Sequence, residues 1–216
     1  MEYKITLIVP CYLRPQRTLR AIQCVMNQDM NGWEALFIGD GCPFIQEIIE
    51  SEKWIKFVDS ASEKGNKISF YNQTPNMGGW GYQSRNFGMS IAKGEYIMFM
   101  DNDDMIEPFH FSHYYDSIKD TDNDFMYFDV WLDPIENRGG IRGRLRESKL
   151  SFGNIGHPEI IAKTKVIKSM PPQSEKWGHD WELIKNMIDS GCKHEKGQGH
   201  SAIIMSVGEL RELNID

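Results

Sequence analysis

Short apolar runs alternate with helical patterns along the first half of the chain. The runs predict strands at residues 5–9, 35–38, 67–71 and 96–100. Between them, Pro15 opens a helix with an apolar stripe, and further helices are predicted at 44–50 and 84–92, with Gly94 ending the last. Because the strand runs are almost continuously apolar, we expect a parallel sheet with helices on both faces.

The second half is less regular but keeps both kinds of element. Its pattern predicts helices at 109–118 and 180–190, strands at 125–132 and 201–207, and a loop rich in Arg and Gly at 134–149. The sequence contains no fixed-period repeat. A chain of 216 residues is therefore expected to form one α/β domain.

Composition narrows the classes of function. The chain has 24 basic and 31 acidic residues and a net charge of −7, which argues against nucleic acid or an anionic membrane as partner. No apolar run approaches the roughly 18 residues of a membrane span, and the N-terminus lacks a signal-peptide layout. The four cysteines form no C-x-x-C pair, so we expect a reduced, cytoplasmic protein without a zinc cage.

Carboxylates follow two of the predicted strands at the point where each strand ends. Asp40 follows the second strand, and the acidic segment 101–104 follows the fourth. Because parallel strands bring their carboxyl ends to one edge, Asp40, Asp101 and Asp103 are expected to face a common cleft. Such oxygen ligands suit Mg²⁺ or Mn²⁺ bound together with phosphate, although a helix-capping turn is the alternative for 101–104. A second Asp-Asn-Asp triplet, at 122–124, precedes a strand and is interpreted as a solvated turn.

Five segments stand in a fixed order along the chain: Ile8-Val9-Pro10-Cys11-Tyr12-Leu13-Arg14-Pro15, Phe37-Ile38-Gly39-Asp40-Gly41-Cys42, Asn76-Met77-Gly78-Gly79 through Ser84-Arg85-Asn86-Phe87-Gly88, Gly94-Glu95-Tyr96-Ile97 through Asp104, and Gly178-His179-Asp180-Trp181-Glu182-Leu183. In this order they resemble the motifs of family 2 glycosyltransferases. The resemblance covers about residues 4–190. It implies a GT-A fold, which is a Rossmann-like α/β fold with a mostly parallel central sheet and a smaller mixed part on the acceptor side. Residues 1–104 would then bind the nucleotide-sugar and residues 105–216 the acceptor.

The resemblance also implies a reaction and its partners. The donor would be a nucleotide-diphosphate sugar, most simply a UDP-sugar, and the acceptor a carbohydrate hydroxyl. The sugar would be transferred with inversion at the anomeric carbon, assisted by Mn²⁺ or Mg²⁺. Two alternatives stay open, a sugar-phosphate nucleotidyltransferase and a nucleotide-sugar-binding module without turnover. This sequence lacks the glycine-rich basic loop that a nucleotidyltransferase would need after strand 1.

Residue roles follow from the matched positions. Asp40 would accept a hydrogen bond from the base, Asp103 would bind the metal, and Asp180 would be the general base. Asp101 would contact the ribose or the metal, and His200, with His194 as second candidate, would complete the metal shell. The other residues assigned to the donor site are Pro10, Cys11, Tyr12, Arg14, Gly78, Gly79, Arg85 and Asn102.

The sequence also departs from the family pattern at several positions. Gly39 replaces the first Asp of the Asp-Asp-Gly motif, and His179 replaces Glu before Asp180. Cys11 stands where Thr or Ser is usual, and Leu13 stands where Asn is usual. Beside these positions, Trp177 and Trp181 flank Asp180, and one of them is a candidate for stacking on a sugar ring. The basic loop 134–149 is either a clamp for phosphate or a solvated segment.

Overall fold

A computed structural model describes residues 2–133 and 143–205 of the chain. Its strands are β1 (Tyr3–Cys11), β2 (Trp33–Asp40), β3 (Lys67–Gln73), β4 (Gly94–Phe99), β5 (Met105–Ile106), β6 (Phe125–Asp133), β7 (Arg144–Arg146), β8 (Ile160–Lys163) and β9 (His194–Met205). Its helices are α1 (Pro15–Met26), α2 (Pro43–Glu50), α3 (Glu52–Ser62), α4 (Tyr82–Ile91), α5 (His110–Ile118), α6 (Thr164–Ser169) and α7 (His179–Asp189). None of the described helices is both long and apolar enough to cross a bilayer.

One mixed sheet joins the two halves of the chain. Its strand order is β3-β2-β1-β4-β8-β6-β9-β5, with β7 paired to β6. The first four strands are parallel, and β8 runs antiparallel to both β4 and β6. The carboxyl ends of β1, β2, β3 and β4 therefore lie at one edge, which we call the carboxyl edge, as the sequence predicts.

Both faces of the parallel strands are buried, which explains their continuous apolar runs. Leu7 and Val9 of β1 face a core that α1 and α5 cover, while Ile8 faces a second core covered by α4, α6 and α7. Every residue of β2 is buried. The arrangement confirms the expectation of an α/β sheet covered on both sides.

The second half of the chain differs most from its prediction. The pattern gave no signal for β8 or α6, because four- and six-residue elements are too short to show a period. The helix α3 was likewise not predicted. Strand β9 begins at His194 instead of residue 201, since its polar first half is held by pairing with β6.

Gly94 is the first residue of β4, whereas the sequence suggested that it ends the preceding helix. Its amide donates to Thr6 Oγ1 (2.8 Å), and that hydroxyl donates to the buried Glu34 carboxylate (2.7 Å). A Cβ built on Gly94 would lie 2.4 Å from the Thr6 nitrogen and 2.5 Å from the Ile5 carbonyl carbon. The position requires glycine because the backbone of β1 occupies the space of a side chain.

We expect Gly94→Ala to lower the free energy of unfolding by more than about 2 kcal/mol, because backbone atoms cannot move aside as a side chain can. Urea denaturation measures the loss. Gly65→Ala is the matched control, since Gly65 has a positive φ of 71° but no atom within 4 Å of its Cβ position. That control should cost only the left-handed strain of about 1 kcal/mol. Equal losses in the two variants would contradict this explanation.

Candidate active site

The carboxyl edge brings together segments that are far apart in the sequence. Asp40 ends β2, Cys11 ends β1, and the acidic turn 101–104 follows β4. The glycine-rich loop 76–81 follows β3 and packs on β1, since a Cβ on Gly81 would lie 2.9 Å from Pro10 Cβ. These contacts place Pro10, Asp40 and the loop that contains Gly78 and Gly79 in one neighbourhood.

Asp40 shapes the glycine-rich loop. Its buried carboxylate accepts hydrogen bonds from the amides of Met77 (2.8 Å) and Gly78 (2.9 Å) and from Asn76 Nδ2 (3.1 Å). Gly78 has φ 66° and ψ −144°, a conformation that in practice only glycine adopts. A carboxylate offers about four acceptor positions, so the loop leaves capacity for one further donor. The role of Asp40 toward a base stays a prediction.

The side-chain amide of Asn72, on the neighbouring strand β3, fills the space beside Gly39. Gly39 pairs with Asn72 of β3, and a Cβ on Gly39 would lie 2.5 Å from Asn72 Oδ1. That oxygen accepts the amide of Cys42 (2.9 Å), and Asn72 Nδ2 donates to the Cys42 carbonyl (3.1 Å). The family pattern has an Asp where this chain has Gly39. The Asn72 side chain fills the place of that Asp and holds the turn after β2.

Arg85 connects three parts of the edge. Its side chain is only 4% exposed, and it donates to the carbonyl of Trp80 (2.8 Å) and to the carboxylate of Asp101. Arg85 Nη1 also lies 3.2 Å from His179 Nε2, at the start of α7. This one guanidinium links the glycine-rich loop, the acidic turn and the helix that carries Asp180.

His179 is a neutral acceptor for Arg85. Because a guanidinium only donates, the contact assigns the lone pair to Nε2 and the proton to Nδ1, which lies 3.3 Å from the Lys176 carbonyl. Burial, together with the charge of Arg85, lowers the pKa of His179. The histidine therefore replaces the Glu of the family pattern with an uncharged partner.

The residues of the acidic turn have different environments. Asp103 accepts from Arg14 and Arg17 (3.2 Å), and Arg20 donates to the Asp103 carbonyl (2.7 Å). The Asp103 side chain is 11% exposed, whereas that of Asp101 is 41% exposed. Arg17 and Arg20 of α1, together with Arg14 just before the helix, thus offset the negative charge of the turn.

Asp104 and Asn102 are structural. Asp104 Oδ1 accepts the amide of Met205 (3.0 Å), and burial, with the charges of Asp101 and Asp103, raises its pKa well above the usual range. Asn102 is buried and donates to Thr18 Oγ1 (2.8 Å). The Asn102 side chain therefore faces α1 instead of the cleft, which corrects its assignment to the donor site.

Cys11 and Tyr12 also point in opposite directions. Strand alternation turns the Cys11 thiol into the core beneath α1, where burial raises its pKa strongly. Its side chain does not wall a pocket at the edge, contrary to the prediction. Tyr12 is exposed just beyond β1, and Leu13 and Arg14 follow with left-handed φ values of 51° and 57°. This unusual backbone directs Arg14 back to Asp103.

His200 does not join the acidic turn. It lies inside β9, half-buried, with its ring stacked on Trp131 at a centroid distance of 5.9 Å. The residue of β9 that reaches the turn is Met205, five residues and about 16 Å further along the strand. His194 lies still further away and stacks on Phe125. The prediction of a histidine ligand is therefore not supported.

Two carboxylates remain as candidate metal ligands. Within residues 2–133 and 143–205, no three His, Cys, Asp or Glu side chains gather as a metal site. Asp101 and Asp103 nevertheless fit Mg²⁺ or Mn²⁺, because such ions are often bound by one or two carboxylates and complete their shell with phosphate oxygens and water.

Asp180 lies in the first turn of α7. Its Oδ1 accepts the amide of Trp181 (2.7 Å), and its Oδ2 would lie 3.4 Å from a Cβ on Gly156. Because the adjacent His179 contacts Arg85, which pairs with Asp101, the start of α7 lies at the carboxyl edge, while the role of Asp180 stays a prediction.

A second buried ion pair supports the segment that faces Asp180. Glu159 is fully buried and accepts from Arg146 (2.7 Å), from Ser148 Oγ and from the amide of Gly156. Of the basic loop, Arg138 and Arg142 lie outside the described residues. Because Arg146 pairs with buried Glu159, its role is structural. No recognisable pattern in the sequence indicates this pair.

Comparisons with known proteins agree on one family. The model of "Glycosyl transferase family 2" matches residues 6–176. An uncharacterized glycosyltransferase of Rickettsia bellii is 28% identical over 163 residues, which are 74% of this chain and 21% of that protein. Poly(ribitol-phosphate) beta-glucosyltransferase of Bacillus spizizenii is 24% identical over 173 residues, 79% of this chain and 24% of that protein.

Solved structures show the same fold. S. aureus TarS 1-349 in complex with UDP-GlcNAc has a TM-score of 0.67 at 16% identity, with 95% of this chain and 59% of that chain covered. The mannosyltransferase PcManGT from Pyrobaculum calidifontis, in complex with GDP-Man and Mn2+, has a TM-score of 0.65 at 12% identity, with 97% and 58% covered. The sheet and its helices are accordingly a GT-A fold, as expected. The chain spans only part of each of these proteins.

We expect Asp40→Ala to lower the free energy of unfolding by about 2 kcal/mol, because amides of the glycine-rich loop lose their acceptor. Hydrogen exchange at Met77 and Gly78 should accelerate with it. Asp122→Ala is the control, since the Asp122 side chain is 94% exposed and its loss should cost under about 0.5 kcal/mol. Unchanged exchange at Met77 and Gly78 would contradict the role given to Asp40.

Proposed function

Because the chain belongs to glycosyl transferase family 2, we propose that it transfers a sugar from a nucleotide-diphosphate sugar to an acceptor hydroxyl, with inversion at the anomeric carbon. The observation that carries the proposal is the position of Arg85, which contacts both Asp101 and His179. A donor bound at the acidic turn and an acceptor bound beside Asp180 would therefore lie next to each other, on either side of the buried Arg85 guanidinium.

A UDP-sugar is the donor that we propose. The support is the UDP-GlcNAc complex of TarS and the acceptor capacity left on Asp40, which suits an imide N–H of uracil. Pro10, which lies against Gly81 of the glycine-rich loop, and exposed Tyr12 would offer apolar surface to the base. PcManGT binds GDP-Man with a similar fold, so the screen below includes both bases.

Arginines supply the charge that a diphosphate needs. Arg14 is 45% exposed at the side chain, and Arg17 lies beside it on Asp103. The donor diphosphate is an anion, and guanidinium groups bind phosphate oxygens in a bidentate manner. We propose that Arg14 and Arg85 contact the diphosphate and stabilise the charge that develops on the leaving group.

Asp101 and Asp103 would hold the divalent ion, Mn²⁺ or Mg²⁺. When bound, such an ion acts as a Lewis acid toward the departing diphosphate. The Mn2+ named for PcManGT and the oxygen ligands at the turn support this assignment. The arginine pairs at Asp103 and Asp101 orient both carboxylates.

Asp180 would accept the proton of the acceptor hydroxyl as that oxygen attacks the anomeric carbon. The carboxylate is half-buried, and it is fixed by the amide of Trp181. A carboxylate fixed in this way can act as the general base of the transfer. We place the reaction in the cytoplasm, since the four cysteines are free thiols that suit a reducing compartment.

We expect Asp180→Asn to reduce turnover by about 10²- to 10⁴-fold while donor affinity stays unchanged, because the amide keeps the shape but cannot take the proton. Transfer or donor-hydrolysis rates and calorimetry with the nucleotide-sugar measure the two effects. Asp189→Asn is the matched control on the same helix, where the carboxylate pairs with exposed Lys185. Turnover at the parent rate in Asp180→Asn would refute the role of the base.

We expect a thermal-shift screen of UDP-, GDP- and dTDP-sugars to give the largest rise with a UDP-sugar in the presence of Mn²⁺, since a ligand of the native state stabilises it by mass action. Asp103→Asn should lose the metal-dependent part of the rise, measured against its own ligand-free state. No rise with any nucleotide would overturn the proposed function. Binding without hydrolysis or transfer would identify a non-catalytic module instead.

A further inference from the structure

Exposed apolar side chains concentrate at the carboxyl edge. Eight large apolar side chains are exposed among the described residues, and six of them lie on loops at this edge: Tyr12, Leu13, Met77, Trp80, Phe152 and Trp177. Trp80 and Trp177 are the most exposed, at 73% and 71%. Because exposed indole surface is unfavourable in water, such a cluster marks a place where a ligand is bound.

Trp177 forms an aromatic pair with Phe152. Their rings meet edge to face at a centroid distance of 5.2 Å and an interplanar angle of 78°. Phe152 rests on the backbone of Gly178, since a Cβ there would lie 2.5 Å from its ring. Gly178, with φ 90°, is the residue before α7. The pair is thereby fixed two to three residues from Asp180.

The aromatic pair and the donor site lie on different sides of the start of α7. His179 faces Arg85 and, through it, Asp101. Asp180 faces Gly156, which belongs to the loop that carries Phe152. A molecule that rests on the aromatic pair would therefore approach Asp180 from the side of Gly156 and leave the side of Arg85 to the diphosphate. Inversion needs the attacking hydroxyl and the leaving diphosphate on opposite faces of the anomeric carbon, which this arrangement allows.

We propose that Trp177 and Phe152 form the acceptor subsite and stack on the apolar face of a pyranose ring. A pyranose offers a flat C–H face to an aromatic ring and directs its hydroxyls outward, so one hydroxyl can reach Asp180 while the ring is held. An acyclic polyol lacks such a face. This inference rests on the proposed function, because it takes Asp180 to be the base.

The segment that carries Phe152 is held in place by hydrogen bonds, so the aromatic pair has an ordered support. Glu159 holds Gly156 and Ser148 on either side of Phe152 and is itself paired with Arg146. Ring stacking gains most when the platform is already ordered, since no loop has to be fixed upon binding. Trp181, which also flanks Asp180, packs instead against the core beneath α7 and is not available for stacking.

Saturation-transfer NMR with methyl pyranosides of glucose, galactose, mannose and N-acetylglucosamine tests the subsite, with ribitol 5-phosphate as the acyclic probe. We expect at least one pyranoside to receive saturation mainly on the C–H groups of one ring face. Trp177→Ala should weaken that binding about tenfold, and Trp177→Phe should restore part of it. In transfer assays, Trp177→Ala should raise the acceptor KM while hydrolysis of the donor by water stays unchanged.

Phe109→Ala is the control, because Phe109 is an exposed aromatic residue that precedes α5, away from Asp180. It should change neither pyranoside binding nor KM. The proposal is overturned if no pyranoside binds, if binding is the same in Trp177→Ala, or if ribitol 5-phosphate alone depends on Trp177. It is also overturned if Trp177→Ala dissociates a dimer in sedimentation, since the pair would then bind a second copy.

Donor binding separates this inference from the proposed function. If nucleotide-sugars neither bind nor are hydrolysed by the unaltered protein, the proposed function fails whatever the pyranosides do. If the donor is bound and hydrolysed but pyranoside binding does not require Trp177, only the acceptor subsite fails.

Discussion

The buried guanidinium of Arg85 is the interaction on which the site depends. A cation removed from water must be paired, and Asp101, the Trp80 carbonyl and His179 together provide partners for the two terminal nitrogens of Arg85. These partners belong to segments that the chain joins only through long connections. The requirement to satisfy one charge therefore fixes the distance between the glycine-rich loop, the acidic turn and α7.

The acidic turn also depends on its surroundings. The chain as a whole carries a net charge of −7, yet Arg14 just before α1 and Arg17 and Arg20 on the helix converge on Asp103. A carboxylate cluster without such partners would raise its own pKa, as buried Asp104 does. Because the arginines offset this repulsion, the turn can keep its carboxylates close together at the carboxyl edge.

The positions of the strands could be predicted, because they depend on the period of the apolar residues. The directions in which individual side chains point could not be predicted from the sequence. Continuous apolar runs located the strands whose ends carry Asp40 and Asp101, and the motif order placed Asp180 with them. By contrast, Cys11 and Asn102 match donor-site positions, but strand alternation and a bond to Thr18 turn their side chains inward. The place of His200 depends on the register of β9, which only the pairing with β5 and β6 determines. Arg17 and Arg20 had a weak signal in their three-residue spacing from Arg14.

Asn72 and Gly39 show that a departure from a family pattern can be shared between two strands. The amide of Asn72 fills the volume beside Gly39 and holds the backbone of Cys42. An aspartate returned to position 39 alone would therefore collide with its neighbour across the sheet. In relatives of this protein, we accordingly expect the residue types at these two positions to change together, so that a small residue on β2 accompanies a polar amide on β3.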